Sequence, residues 1–449
     1  MKLIKHIPAL LLFVCGGCSQ FLDEKSDKKL VTLSSLESLQ AVLDNPRVVM
    51  SGYCYAGEQS ADDYYLSDAS YANLADEMQR RYRWEPSELF QSSINDWQNA
   101  YQAIYAVNSV LQTLGSIEKT DTNADTYDHI KGQALALRGL RLLDLASVFC
   151  LGYDEQTADT DLGLPLRLDP DFNKPSKRSS LAETYHQILS DLETSADLLP
   201  EQSFDAYRAS KLLAYALLAR TYLYMRQYAQ AEAYADSYLQ LRSDLLDFNT
   251  LNPEDRYPIP QLNNEVIFRG TYYHTTFSRT NLRIDESRYQ EYKDNDLRKS
   301  CFFTVNANDG SLEFRGTFTA SAGLTVAPTT SEIWLIKAEC RARENDSEGA
   351  LRCINRLLAH RMEKASFVPY DQPPGGNLLD FVLNERRKEL LMRGVRWMDV
   401  KRLNKEGRNI DLTRQINGET YVLPANDLRF ALPLPEEVVQ LSRMEQNPR

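Results

Sequence analysis

Apolar residues recur three and four positions apart through most of the chain, in blocks set roughly 30–50 residues apart. That spacing is the period of an amphipathic helix, and its recurrence predicts stacked helical pairs. In "DWQNAYQAIYAVNSVLQTLG" the stripe is Trp97, Tyr101, Ile104, Tyr105, Asn108 and Leu111, with Gly115 placed as a C′ stop. "IKGQALALRGLRLLDLASVFCLG" follows, where Gly132, Ala136 and Gly139 permit close helix approach. "SLAETYHQILSDLETSADLLP" opens on a Ser180–Glu183 capping box, carries Leu181, Tyr185, Ile188, Leu192, Ala196 and Leu199 on one face, and closes at Pro200. "YRASKLLAYALLARTYLYMRQYAQAEAYADSYLQL" alternates small and large residues along two helices joined near Gln227 and Tyr228, in the manner of a tetratricopeptide hairpin. "SEIWLIKAECRARENDSEGALRCINRLLAHRM" repeats the plan, with Trp334, Ile336 and Ala338 in one helix and Ala350, Ile354 and Leu357 in the next.

The expected fold is therefore mainly α: a tetratricopeptide-like superhelix of helical pairs over about 92–245 and 330–405. Two regions break the period. Residues 45–90 read as aromatic-rich loop, and residues 245–330 hold Pro253, Pro258, Pro260, Gly310, Gly316 and Gly323 with the β-prone "EVIFRGTYYHTTF" and "LEFRGTFTA". Loops on a rigid scaffold are where binding residues concentrate, so these irregular regions are the expected ligand side.

The first residues, "MKLIKHIPALLLFVCGGCSQFLDEKSDKK", have a basic start at Lys2 and Lys5, an apolar run from Ile7 to Val14, and Gly16 and Gly17 before Cys18. This is the layout of a secretory signal. The run falls far short of the ~20 residues that span a bilayer. Residues 1–17 are expected to be removed, leaving 18–449 as one domain. The Gly-Gly-Cys junction resembles a bacterial lipobox, with Cys15 where leucine is usual; acylated Cys18 would then anchor the chain through more than one fatty chain. Ser19 to Lys29 would serve as a tether, and its "DEK" resembles the acidic signals of surface-exposed lipoproteins.

Charge changes the picture further. The net charge of −12 becomes −14 once Lys2 and Lys5 leave, which excludes a generic nucleic-acid binder. The composition, 43% hydrophobic and 25% charged over 449 residues, is that of a globular protein large enough for one to three domains. Cys54, Cys150, Cys301, Cys340 and Cys353 are odd in number and scattered, so buried thiols are expected, with Cys340 and Cys353 the one pair that could face each other across a hairpin. No metalloprotease, P-loop, dinucleotide or CxxC motif occurs, and His6, His129, His186, His274 and His360 are isolated. "DTNADTYDHIKG" begins like a calcium loop at Asp121, Asn123 and Asp125, but has Gly132 where the bidentate glutamate belongs and reads as a capped turn. No cofactor is expected.

Several stretches, in order, resemble the SusD/RagB family of outer-membrane nutrient-uptake lipoproteins: "CSQFLDEKSD", "WQNAYQAIYAVNSVL", "GQALALRGLRLLDLASVF" with "LGLPL", "ETYHQILSDLETSADLLP", "RASKLLAYALLARTYLYMRQYAQA", "NNEVIF", "SEIWLIKAECRAR" with "INRLLAHR", "ERRKELLMRGVRWMDVKR" and "QNPR". The resemblance covers nearly all of 18–449, and departs from many relatives in a shorter insert after residue 270. It implies a cell-surface lipoprotein of a Gram-negative outer membrane, capturing oligosaccharide without catalysis and passing it to a SusC-like TonB-dependent transporter. The alternatives are a repeat scaffold that binds a protein partner, a binder of peptide or another nutrient, or a glycosidase on the same scaffold.

"NERRKELLMRGVRWMDVKR" (Asn384 to Arg402) holds seven basic and three acidic residues. Leu383, Arg387, Leu390 and Leu391 fall on one helical face, Gly394 is placed to end it, and Arg396, Trp397 and Asp399 begin the next turn. Glu385 is in register for Lys388 and Glu389 for Arg393. The stretch is expected to be a structural clasp: Trp397 buried, Arg386 or Arg396 on an internal carboxylate, with Glu389 and Asp399 as acidic partners. For a sugar, which offers apolar C–H faces and hydroxyls, the site needs flat aromatics and planar polar groups. The candidates are Asp62, Asp63, Tyr64, Tyr65, Arg81, Tyr82, Arg83 and Trp84, with Tyr71 nearby, and Tyr272, Tyr273 and Tyr289, with Arg269, Phe277, Arg283 and Tyr292 nearby. "YRW" with "TYY" is the expected platform; the competing reading is that these rings are core.

Overall fold

Small residues at the contact lines let the long helices stack. The computed structural model describes residues 33–203, 205–272 and 281–449; the signal peptide, Cys18, Tyr273 and Phe277 lie outside them. Helices Asp96–Leu114, Ala124–Phe149, Leu181–Leu198, Lys211–Tyr224 and Tyr228–Leu241 pack in sequence, each on the next. Thr330–Arg343 then packs directly on Tyr228–Leu241, so the superhelix runs on across the 245–330 insertion. Ser347–Leu358, Leu378–Glu389 and Arg396–Asn404 complete it. A Cβ on Gly139 would lie 2.9 Å from the Leu192 side chain, and one on Gly132 2.8 Å from Leu199, which accounts for the glycines along the 124–149 helix. Ser180 and Glu183 form the expected capping box. Tyr222 and Tyr234 stack across the 211–224 and 228–241 pair at 5.6 Å.

Several boundaries differ from expectation. Gly115 caps its helix at φ −63°, so its freedom to adopt positive φ goes unused. Gly394 does adopt φ 72°, but its helix has already ended at Glu389. Residues 45–90 are not loop: they form short helices Pro46–Val49, Ala56–Ser60, Asp68–Ala72 and Asp76–Tyr82. Strand Tyr65–Leu66 pairs antiparallel with Leu282–Arg283, which joins the two irregular regions. The insertion adds Thr271–Tyr272 paired with Leu324–Thr325 and Phe303–Val305 paired with Leu312–Phe314. A hairpin of Leu412–Ile416 and Glu419–Leu423, turning at Asn417 and Gly418 with positive φ, follows the last repeat helix. Its Asn-Gly signal is the strongest short-range hairpin mark in a sequence.

The 384–402 stretch is the hub. Trp397 is 2% exposed and packs on Phe430, ring centroids 4.8 Å apart. Asp399 accepts from Arg386 at 2.9 Å and Arg402 at 2.7 Å; Arg402 also meets Glu339 at 2.8 Å. Arg396 donates to Asp62 at 2.7 Å. Glu385 pairs with Lys388 at 2.7 Å as its spacing predicts. Glu389 does not take Arg393: its carboxylate receives Arg361 at 2.8 Å and Arg298 at 3.3 Å, both from outside its helix. The buried face of that helix is Phe381, Val382, Glu385, Arg386, Lys388 and Glu389, whereas Leu383 and Arg387 sit at its partly exposed edge. Burial alone would raise the Asp399 carboxyl; Arg386 and Arg402 outweigh it and hold the group at about 2. Cys340 and Cys353 are buried free thiols.

Removing one member of a buried ion pair strands its partner, at ~3–5 kcal/mol, whereas an exposed pair contributes about 0–1. Glu389→Gln is expected to lower the unfolding free energy by ~3–5 kcal/mol in urea titration. Glu348→Gln, which breaks the exposed pair with Arg352, should change it by less than ~1.

Candidate functional site

Most of the aromatic residues proposed as a platform are core. Trp84 is 1% exposed; its φ of 56° turns the indole inward, where Nε1 donates to the Ser60 carbonyl at 2.9 Å. Arg414, from the hairpin, lies 3.5 Å over the Tyr82 ring and 5.0 Å over Trp84, sealing both. Tyr64, Tyr82, Tyr272, Arg81 and Asp63 are likewise buried. Tyr82 Oη accepts from the Leu66 N–H at 2.9 Å, and Arg81 donates to Gln59 at 2.7 Å. Asp62 is committed to Arg396 and Arg387. Arg83, Tyr65 and Tyr289 reach solvent in part, but Tyr289 packs edge-on against Phe303 at 5.4 Å. Each ring shut inside contributes on the order of 3 kcal/mol by leaving water, which decides the competition in favour of packing. The described rings of the expected platform, Tyr82, Trp84 and Tyr272, are therefore not exposed, and Tyr273 lies outside the described residues.

An open cleft of about 940 Å³ lies elsewhere, between the 96–114 helix and the Glu436–Ser442 helix near the C-terminus. Asn95 caps the first helix by accepting from the Gln98 N–H at 3.0 Å. One flank of that helix then presents Trp97, Tyr101 and Tyr105 at four-residue intervals. Trp97 is nearly buried, held edge-on by Phe149 at 5.1 Å. Tyr101 tilts against it at 4.8 Å and donates to the Pro165 carbonyl at 2.9 Å. Tyr105 is 53% exposed, so the three rings step outward from core to solvent. The opposite wall is Pro435, Glu436, Glu437, Val438 and Gln440. Glu436 accepts the Glu88 N–H at 2.6 Å and ties the walls together. Gln91, Gln98 and Gln102 line the cleft, and the buried Gln98 Oε1 has no hydrogen-bond partner among the described residues.

This arrangement offers flat apolar rings beside planar amides that both donate and accept. It suits a ligand with C–H faces and hydroxyls. The spacing of Trp97, Tyr101 and Tyr105 was visible in the sequence as part of a core stripe. The core line is instead Trp97, Ala100, Ile104, Val107 and Leu114, which leaves Tyr101 and Tyr105 at its edge. Four-residue repetition of aromatics with Gln98 and Gln102 between them was the available signal. Among the described residues no cluster of His, Cys, Asp or Glu is placed for a metal. Asn123, in the calcium-like stretch, instead closes a turn, accepting from the Thr120 N–H at 2.8 Å.

Behind the cleft, Asp96 accepts the Tyr55 and Ala56 N–H groups at 3.0 and 2.8 Å, fixing the 56–60 helix to the base of the 96–114 helix. Burial pushes its carboxyl up to about 7 against the nearby Arg81, and burial likewise lifts Asp144 to about 6.

Two family models match the chain: one described as "Starch-binding associating with outer membrane" over residues 20–223, and one described as "SusD family" over residues 330–448. A SusD-like protein of Formosa agariphila is 24% identical, the match covering 89% of this chain and 88% of that one. Among solved structures, a SusD superfamily protein of Bacteroides thetaiotaomicron superposes with a TM-score of 0.75 at 22% identity, covering 92% of this chain and 100% of that one. A surface glycan-binding protein A of Bacteroides fluxus superposes with a TM-score of 0.71 at 15% identity, covering 92% and 99%. The chain belongs to the SusD/RagB family.

A carboxyl raised on folding stabilises the protein fully below its unfolded pKa, and that contribution is lost as pH rises towards the folded value. For Asp96 the window runs from ~4, its unfolded value, up to about 7. Asp96→Asn keeps the acceptor and removes the charge. Its stability relative to the parent is expected to improve by on the order of 2 kcal/mol between pH 5 and pH 8 in parallel urea titrations.

Proposed function

We propose that this chain is a non-catalytic glycan-binding lipoprotein of the outer membrane, which captures oligosaccharide at the cell surface and delivers it to a TonB-dependent transporter. The observation that carries the binding step is the cleft: the Trp97–Tyr101–Tyr105 series, with Gln98 and Gln102 beside it, faces Glu436, Glu437 and Gln440 across an open groove. The family assignment and the names of its structural relatives support the same reading. Anchorage rests on the Gly-Gly-Cys18 junction, and no helix among the described residues is long and apolar enough to cross a membrane. Delivery to a transporter rests on the family resemblance. For a binder without catalysis, the relevant point is where the raised carboxyls sit. Glu58, Asp96 and Asp144 are in the interior, while at the cleft Glu436 is tied to the Glu88 N–H and Glu88 to Arg80.

Calorimetry on the form lacking residues 1–18 against a panel of neutral oligosaccharides should give saturable binding. Tyr105→Ala, at an exposed position, is expected to weaken it about tenfold, which corresponds to ~1.4 kcal/mol, with unfolding unchanged. Trp84→Ala is expected to unfold the protein more readily, without a selective loss of affinity. Incubation with the bound sugar should release no new reducing ends; their appearance would make the chain an enzyme. Palmitate labelling lost in Cys18→Ala, and co-purification with a large outer-membrane β-barrel, test anchorage and delivery.

A further inference from the structure

Resting on the glycan-binding reading, we propose that the cleft selects uncharged oligosaccharides and rejects those bearing uronate or sulfate groups. Its lining contains three carboxylates, Glu88, Glu436 and Glu437, and no lysine, arginine or histidine. Glu88 is balanced by Arg80. Glu436 accepts a backbone N–H, and exposed Glu437 enters no ion pair among the described residues. The remaining polar lining is Gln91, Ser93, Asn95, Gln98, Gln102 and Gln440, which suits hydroxyls. An anionic residue stacked on Tyr101 or Tyr105 would thus meet the carboxylate of Glu437, which no ion pair among the described residues offsets.

The same helix forms a ridge between this cleft and a recess of about 580 Å³ that shares Gln98 and Gln102. That recess carries Arg47, with Asn99 and the 74% exposed Ile94. Arg47 is a cation lining that recess, and it lies across the ridge from the three rings. Unshielded like charges act over a Debye length of about 10 Å at 0.1 M salt, so the discrimination should be strong at low salt and fade at high salt.

The test compares a neutral oligosaccharide that binds the form lacking residues 1–18 with its C6-oxidised counterpart, matched in length and linkage. At about 20 mM salt the oxidised sugar should bind at least about tenfold more weakly, and the gap should narrow to about threefold or less at 0.5 M. Glu437→Gln should narrow the low-salt gap by itself, which mere loss of the 6-hydroxyl would not produce. Equal or tighter binding of the oxidised sugar overturns the inference while leaving glycan binding in place, all the more if Arg47→Gln abolishes it. Absence of binding by any neutral or oxidised sugar overturns the glycan reading and this inference with it.

Discussion

A guanidinium taken out of water has to meet carboxylates, and this constraint organises the chain around residues 384–402. Arg298, Arg361, Arg386 and Arg402 are all almost wholly buried. Desolvating each ion is costly enough that attraction offsets it only when the geometry is close and the remaining donors are occupied. The partners come from every part of the fold. Glu332 and Glu339 belong to a repeat helix, Glu265 and Asp296 to the insertion, and Asp62 to the first irregular region. None of these segments can dock without the others, because each alone would bury an unpaired charge. Together they fix one arrangement where an apolar interface would tolerate several.

That arrangement also sets the cleft. Its two walls come from residues 88–105 and 435–440, far apart in sequence. Near the C-terminus, Asn447 donates to the Phe149 and Leu432 carbonyls at 2.8 and 2.6 Å and accepts from Arg178 at 2.7 Å. Gln446 holds Leu434 through both its backbone groups. These bonds place the 436–442 helix against the long-helix stack, and Glu436 closes the remaining gap to Glu88. The cleft thus exists because the C-terminal segment is pinned against the long-helix stack.

The repeat helices were legible because a 3.6-residue period, a capping box at Ser180 and small residues at Gly132 and Gly139 are local signals that the packing leaves intact. The clasp was legible as a motif and Glu385–Lys388 as a pair, but the partners of Glu389 were not. Glu389 prefers Arg361 and Arg298 to its own helical neighbour, since long-range partners bring two guanidiniums where the helix offers one. The burial of the expected platform was hidden for a related reason. A tyrosine or tryptophan in an irregular segment looks the same in sequence whether it faces solvent or an arginine from a distant hairpin. Arg414 lies more than 300 residues beyond Tyr82 and Trp84, and nothing local announces that it covers them. Conversely, Tyr105 sits in a strongly periodic helix and reads as core, although the buried line runs beside it through Ala100, Ile104 and Val107.

The position of the cleft on a long helix bears on how it would work. Trp97 and Tyr101 are held by Phe149 and the Pro165 carbonyl before any ligand arrives, and Asp96 locks the base of their helix to a second element. A ligand then spends little binding free energy on ordering the site, which is the general advantage of preorganisation. At the same time the groove is open along its length and only Tyr105 projects far into solvent. Contact is limited to one side of a chain-like molecule. Such a surface favours modest affinity and rapid exchange, since nothing has to open for the ligand to leave. Under the proposed function, in which cargo is passed onward unaltered, release matters as much as capture, and a rigid wall with a shallow mouth meets both demands.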